Sequence, residues 1–223
     1  KIVRVVLREM AKQVAHEIKN PLTPMKLNLQ YLQHLMKNNP DDFREKFERA
    51  SFGIIEQIDS LANIASEFSN FAKLPATQLQ TINLAEIISS SVLIFENNKN
   101  FSIRNDIGTV ELLVRGDRDQ CLRVFNNLLK NAVQALEEVN DPLIEIKAAQ
   151  DGPMIKIMVI DNGCGIPEAL KLKIFSPNFT TKTTGSGLGL AMVKNIMQGF
   201  GGAVSFESEK GKGTVFYLEF QTA

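Results

Sequence analysis

Apolar residues in the first third of the chain recur every three or four positions. Leu22, Met25, Leu29, Leu32 and Met36 step by 3, 4, 3 and 4. After KNNPDD (37–42), Phe43, Phe47, Ala50, Ile54, Ile58, Leu61, Ala65, Phe68 and Ala72 continue by 4, 3, 4, 4, 3, 4, 3 and 4. That period matches the helical turn and lays one apolar stripe along each helix. KNNPDD itself has stop-and-start chemistry: asparagine ends one helix, and Pro40 and Asp41 open the next. Two long helices are predicted, and two helices alone cannot bury both faces of such seams. A second copy completing a four-helix bundle would cover them, so this region predicts a homodimer. Pro21 and Pro24 fall inside the first helix, where each removes a donor and loosens the turn before it. The weakened stretch lies one turn after His16.

From residue 74 the grammar changes. LPATQLQT (74–81) loses the helical period and reads as a linker. Beyond it strand and helix patterns alternate: strand 81–83, helix 84–98, strands 101–106 and 111–115, and a helix over 117–138 capped by Asp117. Strands 143–149 and 154–160 come next, then a glycine-rich stretch, a helix over 188–200 and strands 203–207 and 214–220 around the turn SEKGKG. Residues 1–73 hold one glycine, Gly53, and the remaining thirteen of the 14 lie beyond, which sharpens the contrast. The expected architecture is a helical hairpin (1–73), a linker (74–81) and an α/β sandwich (82–223) with one sheet covered by helices on one face.

Composition narrows the function class. With 44% hydrophobic and 22% charged residues, wholesale disorder is excluded. Twenty-five basic residues balance twenty-five acidic ones, so the overall basic footprint of a nucleic-acid binder is missing and no nucleic-acid partner is expected. Two cysteines, Cys121 and Cys164, are too few for a disulfide framework and fit a reducing compartment. No apolar run reaches membrane-span length. A cytoplasmic domain is expected, with any membrane anchor lying in segments outside this sequence.

Four segments carry chemistry. In HEIKNPLTP (16–24), His16 and Asn20 lie one helical turn apart on one face, with Glu17 beside His16. A lone histidine on a helix is ordinarily surface, and His34 is read so; His16 is set apart by the company of the other three segments. In NNLLKNAVQAL (126–136), Asn127 and Asn131 project from one face, and Leu128, Leu129 and Val133 from another. Amide oxygens of such a pair can join phosphate and water around Mg²⁺. In VIDNGCGIP (159–167), an apolar strand ends on Asp161, whose carboxylate can accept from an exocyclic amine, and Gly163 and Gly165 allow close approach of a flat ligand. In FSPNFTTKTTGSGLGLAMVKNI (175–196), Gly185, Gly187 and Gly189 lead into a helix whose N-terminal N–H groups suit phosphate. Thr180, Thr181 and Lys182 add hydroxyls and a cation, and the polar stretch before the helix predicts a lid. No GxxxxGK[ST] occurs, and position 190 is leucine, so neither the Walker A loop nor the Rossmann fingerprint applies.

Taken in this order, the segments resemble the sensor histidine kinases of two-component systems over nearly the whole chain. HEIKNPLTP looks like their H box, NNLLKNA their N box, DNGCGI their G1 box, FSPNF their F box and GSGLGL their G2 box. HEIKNPLTPMKL, NAVQAL and FTTK look most like the nitrogen-regulation sensor branch. The resemblance implies a Bergerat-type ATP-binding half, similar to gyrase and heat-shock chaperones. It implies ATP and Mg²⁺ as cofactors, with Asn131 and Asn127 on the metal and Asp161 on adenine. Lys130, Gly163, Gly165, Ile166, Phe175, Thr180, Thr181, Lys182, Gly185, Ser186, Gly187, Leu188 and Gly189 would line the nucleotide site. Gln134 departs from the basic residue many relatives carry there, so Lys130 or Lys182 would have to supply that charge. His16 is implied as phosphoacceptor, Glu17 as its orienting or proton-accepting group, and Asn20 as the residue that positions water for dephosphorylating a response-regulator receiver domain. Two rivals are a same-fold ATPase or serine kinase without histidine transfer, and a scaffold with a degenerate nucleotide site. HEIKN weighs against the first; Asn127, Asn131, Asp161 and three intact glycines weigh against the second.

Overall fold

A computed structural model describes residues 2–38, 40–72, 77–96, 100–108, 111–137, 139–176, 179 and 187–223. The chain divides into a helical unit and an α/β unit. In the first, α1 (Ile2–Asn38) and α2 (Pro40–Ala72) pack on each other as a hairpin. Pro40 opens α2, where its missing N–H costs nothing.

Two expectations about this hairpin need correction. α1 runs unbroken through Pro21 and Pro24. The prolines cannot donate to the carbonyls four residues earlier, yet Pro21 is buried and Thr23 Oγ1 donates to the Lys19 carbonyl at 3.1 Å. The helical path thus continues through both prolines, and the burial of Pro21 packs it in place. The predicted stripe is buried only in part, at Met25 and Leu32. Val14, Pro21, Met25, Leu32 and Leu35 are buried, whereas Leu22, Leu29 and Met36 are about half exposed, at 48%, 52% and 60%. α1 carries two neighbouring apolar stripes. A 3–4 spacing fits either, and only the position of α2 selects between them.

In the α/β unit the elements are β1 (Gln80–Asn83), α3 (Leu84–Glu96), β2 (Ser102–Asn105), β3 (Leu113–Gly116), α4 (Arg118–Ala135), β4 (Leu143–Asp151), β5 (Met154–Asp161), a short α5 (Glu168–Lys171), α6 (Gly189–Gly199), β6 (Ala203–Glu209) and β7 (Gly213–Gln221). Asp117 caps α4 as expected: Oδ1 accepts from the N–H groups of Asp119 and Gln120, both at 3.1 Å. α5 has no counterpart among the predicted elements, since four residues are too few for a period to register.

A five-stranded sheet runs β2-β4-β5-β7-β6. β2 and β4 are parallel, which requires a crossover, and the connection between them contains α4. The other pairs are antiparallel. β1 and β3 form a separate antiparallel pair, so there are two sheets where one was expected. Alternation decides the faces. Ile155, Ile157 and Val159 of β5 and Phe216, Leu218 and Phe220 of β7 point into the core. The opposite face carries Lys156, Tyr217 and Glu219. Lys156 sits opposite Glu219, with Nζ 3.0 Å from its carboxylate and 5.5 Å from the Tyr217 ring centroid. α4 and α6 pack on each other and on the sheet, with Phe125, Leu128, Leu129, Val193 and Met197 fully buried.

Candidate functional site

The site grows from the end of β5 and the adjoining face of α4. β5 is apolar because it lies centrally in the sheet, and its last residue, Asp161, stays buried with only 6% of its surface exposed. A buried carboxylate needs donors to offset desolvation. One is the Gly163 N–H, which donates to Asp161 Oδ1 at 2.9 Å. The turn that permits this is crowded. A methyl on Gly163 would lie 2.6 Å from Ala135 Cβ and 2.7 Å from both the Ala135 carbonyl and Asp161 Oδ1. Gly165 adopts φ +65°, and a side chain there would collide with the Glu209 carbonyl.

The turn is bolted on three sides. Cys164 N–H donates to the Ala135 carbonyl at 3.0 Å, tying it to the end of α4. Gly211 N–H donates to the Cys164 carbonyl at 2.8 Å, and Ile166 N–H to Ser208 Oγ at 2.8 Å, tying it to the β6–β7 turn. Asn162 accepts from the Leu143 N–H at 2.8 Å and donates to the Asp141 carbonyl at 3.0 Å. Asp141 itself sits at φ +52°. A cavity of about 450 Å³ opens beside this turn, lined by residues including Gln134, Ala135, Glu137, Asn162 and Cys164.

On α4, Asn127, Asn131 and Ala135 are spaced by four and share one face. Asn127 and Asn131 are half-buried, and Lys130 is exposed. Asn127 Nδ2 donates to the Arg123 carbonyl at 2.8 Å and lies 4.0 Å from Met192 Sδ of α6. Gly189 begins α6 against Asn127. Phe175 packs edge-on against Phe206 at 5.8 Å between centroids, with Lys194 Nζ 5.8 Å from its ring. The fold thus gathers Asn127, Asn131, Asp161, Gly163, Gly165, Ile166, Phe175 and Gly189 within one unit. Gly187 adopts φ +65° and Leu188 is buried.

Thr180, Thr181, Lys182, Gly185 and Ser186 lie outside the described residues, as does most of the predicted lid. His16 and Glu17 lie on α1, and their side chains are likewise outside the described set; Asn20, one turn on, is exposed. Sequence reasoning missed Ser208, Met192 and Asn162. The DNG triplet contained Asn162, but nothing local revealed that its amide reaches back nearly twenty residues.

The thiols differ sharply. Cys164 is exposed, whereas Cys121 is fully buried on α4. Burial, with the Asp117 carboxylate as a second cause, pushes the Cys121 thiol up to about 12.

Two family models match. Residues 116–223 match the histidine kinase-, DNA gyrase B- and HSP90-like ATPase family, and residues 6–77 match the His Kinase A (phospho-acceptor) domain. The nitrogen regulation protein NtrY of Azorhizobium caulinodans is 31% identical over 211 residues, covering 92% of this chain and 27% of that protein. The sensor histidine kinase ZraS of Escherichia coli is 32% identical over 226 residues, covering 96% of this chain and 45% of that protein. The chain therefore spans between about a quarter and a half of such relatives. Among solved structures, the catalytic domain of histidine kinase ThkA superposes with a TM-score of 0.59 at 34% identity, covering 65% of this chain and 96% of that one. ThkA in complex with the response regulator TrrA gives a TM-score of 0.71 at 27% identity, covering 98% of this chain and 63% of that one.

Proposed function

Because the chain belongs to the sensor histidine kinases of two-component systems, we propose that it binds ATP in its α/β unit, transfers the γ-phosphoryl group to His16, and passes it to an aspartate of a response-regulator receiver domain. One observation carries the nucleotide half of this reading. The Asp161 carboxylate, buried and held by the Gly163 N–H, lies beside the helix that carries the half-buried Asn127 and Asn131 on one face. The carboxylate suits the adenine amino group, and a glycine at 163 is what lets the turn close against it.

Mg²⁺ fits the donor set here. The two carboxamides offer neutral oxygens, and a methyl at Gly189 would fill the space that Asn127 Oδ1 occupies. Among the described residues no cluster of three His, Cys, Asp or Glu side chains could cage an ion alone. The ion therefore suits a site completed by phosphate oxygens and water. Bound there, it would neutralise charge on the transferring group. Lys130 supplies a further cation on the same helix. Thr180, Thr181, Lys182, Gly185, Ser186, Gly187 and Leu188 complete the phosphate side in this reading.

At His16, neutral Nε2 attacks the γ-phosphorus while the bond to the ADP oxygen breaks, and Glu17 holds or accepts the Nδ1 proton. Asn20, one turn away and exposed, orients a water for hydrolysis of the regulator's phosphoaspartate, giving a second, phosphatase activity. Residues 1–73 form the dimerisation and phosphoacceptor domain, 74–81 the linker and 82–223 the catalytic domain. The half-exposed Leu22, Leu29 and Met36 supply the seam for a second copy. Among the described residues no helix is long and apolar enough to cross a membrane; the kinase core works on the cytoplasmic side, and any anchor lies in other segments of the full protein.

The test is incubation with γ-labelled ATP. Wild type should acquire acid-labile, base-stable phosphate and pass it to a receiver domain, and His16→Gln should acquire none. Label on His16→Gln would overturn the assignment.

A further inference from the structure

We infer that Gly189 is a positioning residue for the magnesium–nucleotide site, acting by seating the Asn127 carboxamide. The inference rests on the proposed function, in which Asn127 joins Asn131 at the metal. Gly189 is the first residue of α6. A Cβ placed on it would lie 2.6 Å from Asn127 Oδ1 and 3.5 Å from its Cγ. Its φ is not among the positive values, so the backbone does not call for glycine, and alanine is the better residue in a helix. What a methyl at 189 would meet is the Asn127 carboxamide, which would have to shift to admit it.

The other end of the same carboxamide is also held. Nδ2 donates to the Arg123 carbonyl at 2.8 Å and approaches Met192 Sδ at 4.0 Å. Met192 is three residues beyond Gly189, so both stand on one face of α6. That face brackets the amide, with the thioether at its nitrogen and the bare Cα at its oxygen. The pattern sets the amide's orientation without a side chain touching the ligand. It matters because Mg²⁺ requires near-ideal octahedral geometry at short distances, so a ligand oxygen displaced by an ångström no longer serves. Gly189 therefore couples the start of α6, which comes after the glycine-rich segment, to an oxygen on α4.

The experiment is a double-mutant cycle in the 223-residue chain with Gly189→Ala, Asn127→Ala and both. ADP affinity is measured with excess Mg²⁺ and with EDTA, beside thermal unfolding without nucleotide. Gly189→Ala should weaken ADP binding in Mg²⁺ by about tenfold, the scale of a methyl forced into packed space. Its loss of affinity in EDTA should be several-fold smaller than its loss in Mg²⁺, and the substitution should add less than about twofold in the Asn127→Ala background. Equal losses with and without Mg²⁺, no loss at all, or a full independent effect in the Asn127→Ala background would each overturn the inference. Unchanged Mg²⁺-dependent affinity in Asn127→Ala would overturn the metal reading itself, and this inference with it. A loss in Asn127→Ala with none in Gly189→Ala would overturn this inference alone. Should Gly189→Ala fail to fold, recovery of folding in the double variant supports the contact, and failure there overturns it.

Discussion

Replacing Gly163 by alanine tests how Asp161 is held. The added methyl would stand 2.6 Å from Ala135 Cβ and 2.7 Å from the Ala135 carbonyl and Asp161 Oδ1. Comfortable carbon contacts lie near 3.5–4.0 Å, so a neighbour must give by about 1 Å. Ala135 cannot give easily, because it ends α4 and its carbonyl holds the Cys164 N–H. The Asp161 side chain is the softer partner and would swing away from the Gly163 N–H. Crowding of this kind costs about 1–3 kcal/mol of folding stability. A hydrogen bond to a charged group contributes about 1.5–3 kcal/mol, so ATP affinity should fall about ten- to a hundredfold. Calorimetric titration well below the unfolding temperature would read that loss, with thermal unfolding in parallel. A purine nucleoside triphosphate lacking the 6-amino group should lose less, because it makes no use of the carboxylate. A folded Gly163→Ala protein with wild-type ATP affinity would refute the reasoning: the turn would then not set Asp161.

Three further outcomes are expected from the geometry. Asn20 is exposed within an unbroken helix, and alanine there gains up to about 0.7 kcal/mol of helix propensity; Asn20→Ala should spare autophosphorylation while slowing regulator dephosphorylation about 10²-fold, and equal losses in the two assays would remove Asn20 from the phosphatase role. Leu29→Glu, at a half-exposed seam position, should weaken self-association by about 10²-fold or more, since burying a leucine contributes about 1.5–3 kcal/mol in each copy; a monomeric wild type in sedimentation at micromolar concentration would sink the dimer. Alkylation of the native protein should label Cys164 and spare Cys121, whose thiol is buried and raised to about 12, as peptide mass spectrometry would show. Because that folded value is raised, the neutral thiol's contribution to stability is complete below about pH 8.5 and fades as pH climbs toward the folded value; unchanged unfolding midpoints across that range would contradict it.

The sequence alone determined whatever depends on neighbours along the chain. Helix period, the Asp117 cap, the proline that opens α2 and the alternation in β5 and β7 are local signals, and each element they predict is present within a few residues of its expected ends. The placement of the candidate site residues was legible for a related reason: Asn127 and Asn131 share a face by helical spacing, and Asp161 ends an apolar strand that must be interior. Tertiary structure decided the rest. Whether Leu32 or Leu29 is buried depends on where α2 lies, and the two positions are equivalent to a periodicity count. The unbroken path of α1 through two prolines depends on the burial of Pro21, which no local preference encodes. β1 and β3 pair apart from the main sheet because strand partnership is a contact between distant segments. Why Gly189 is glycine is decided the same way: its φ shows no need of glycine, and the reason is an asparagine 62 positions earlier, packed against it only once α4 and α6 have met.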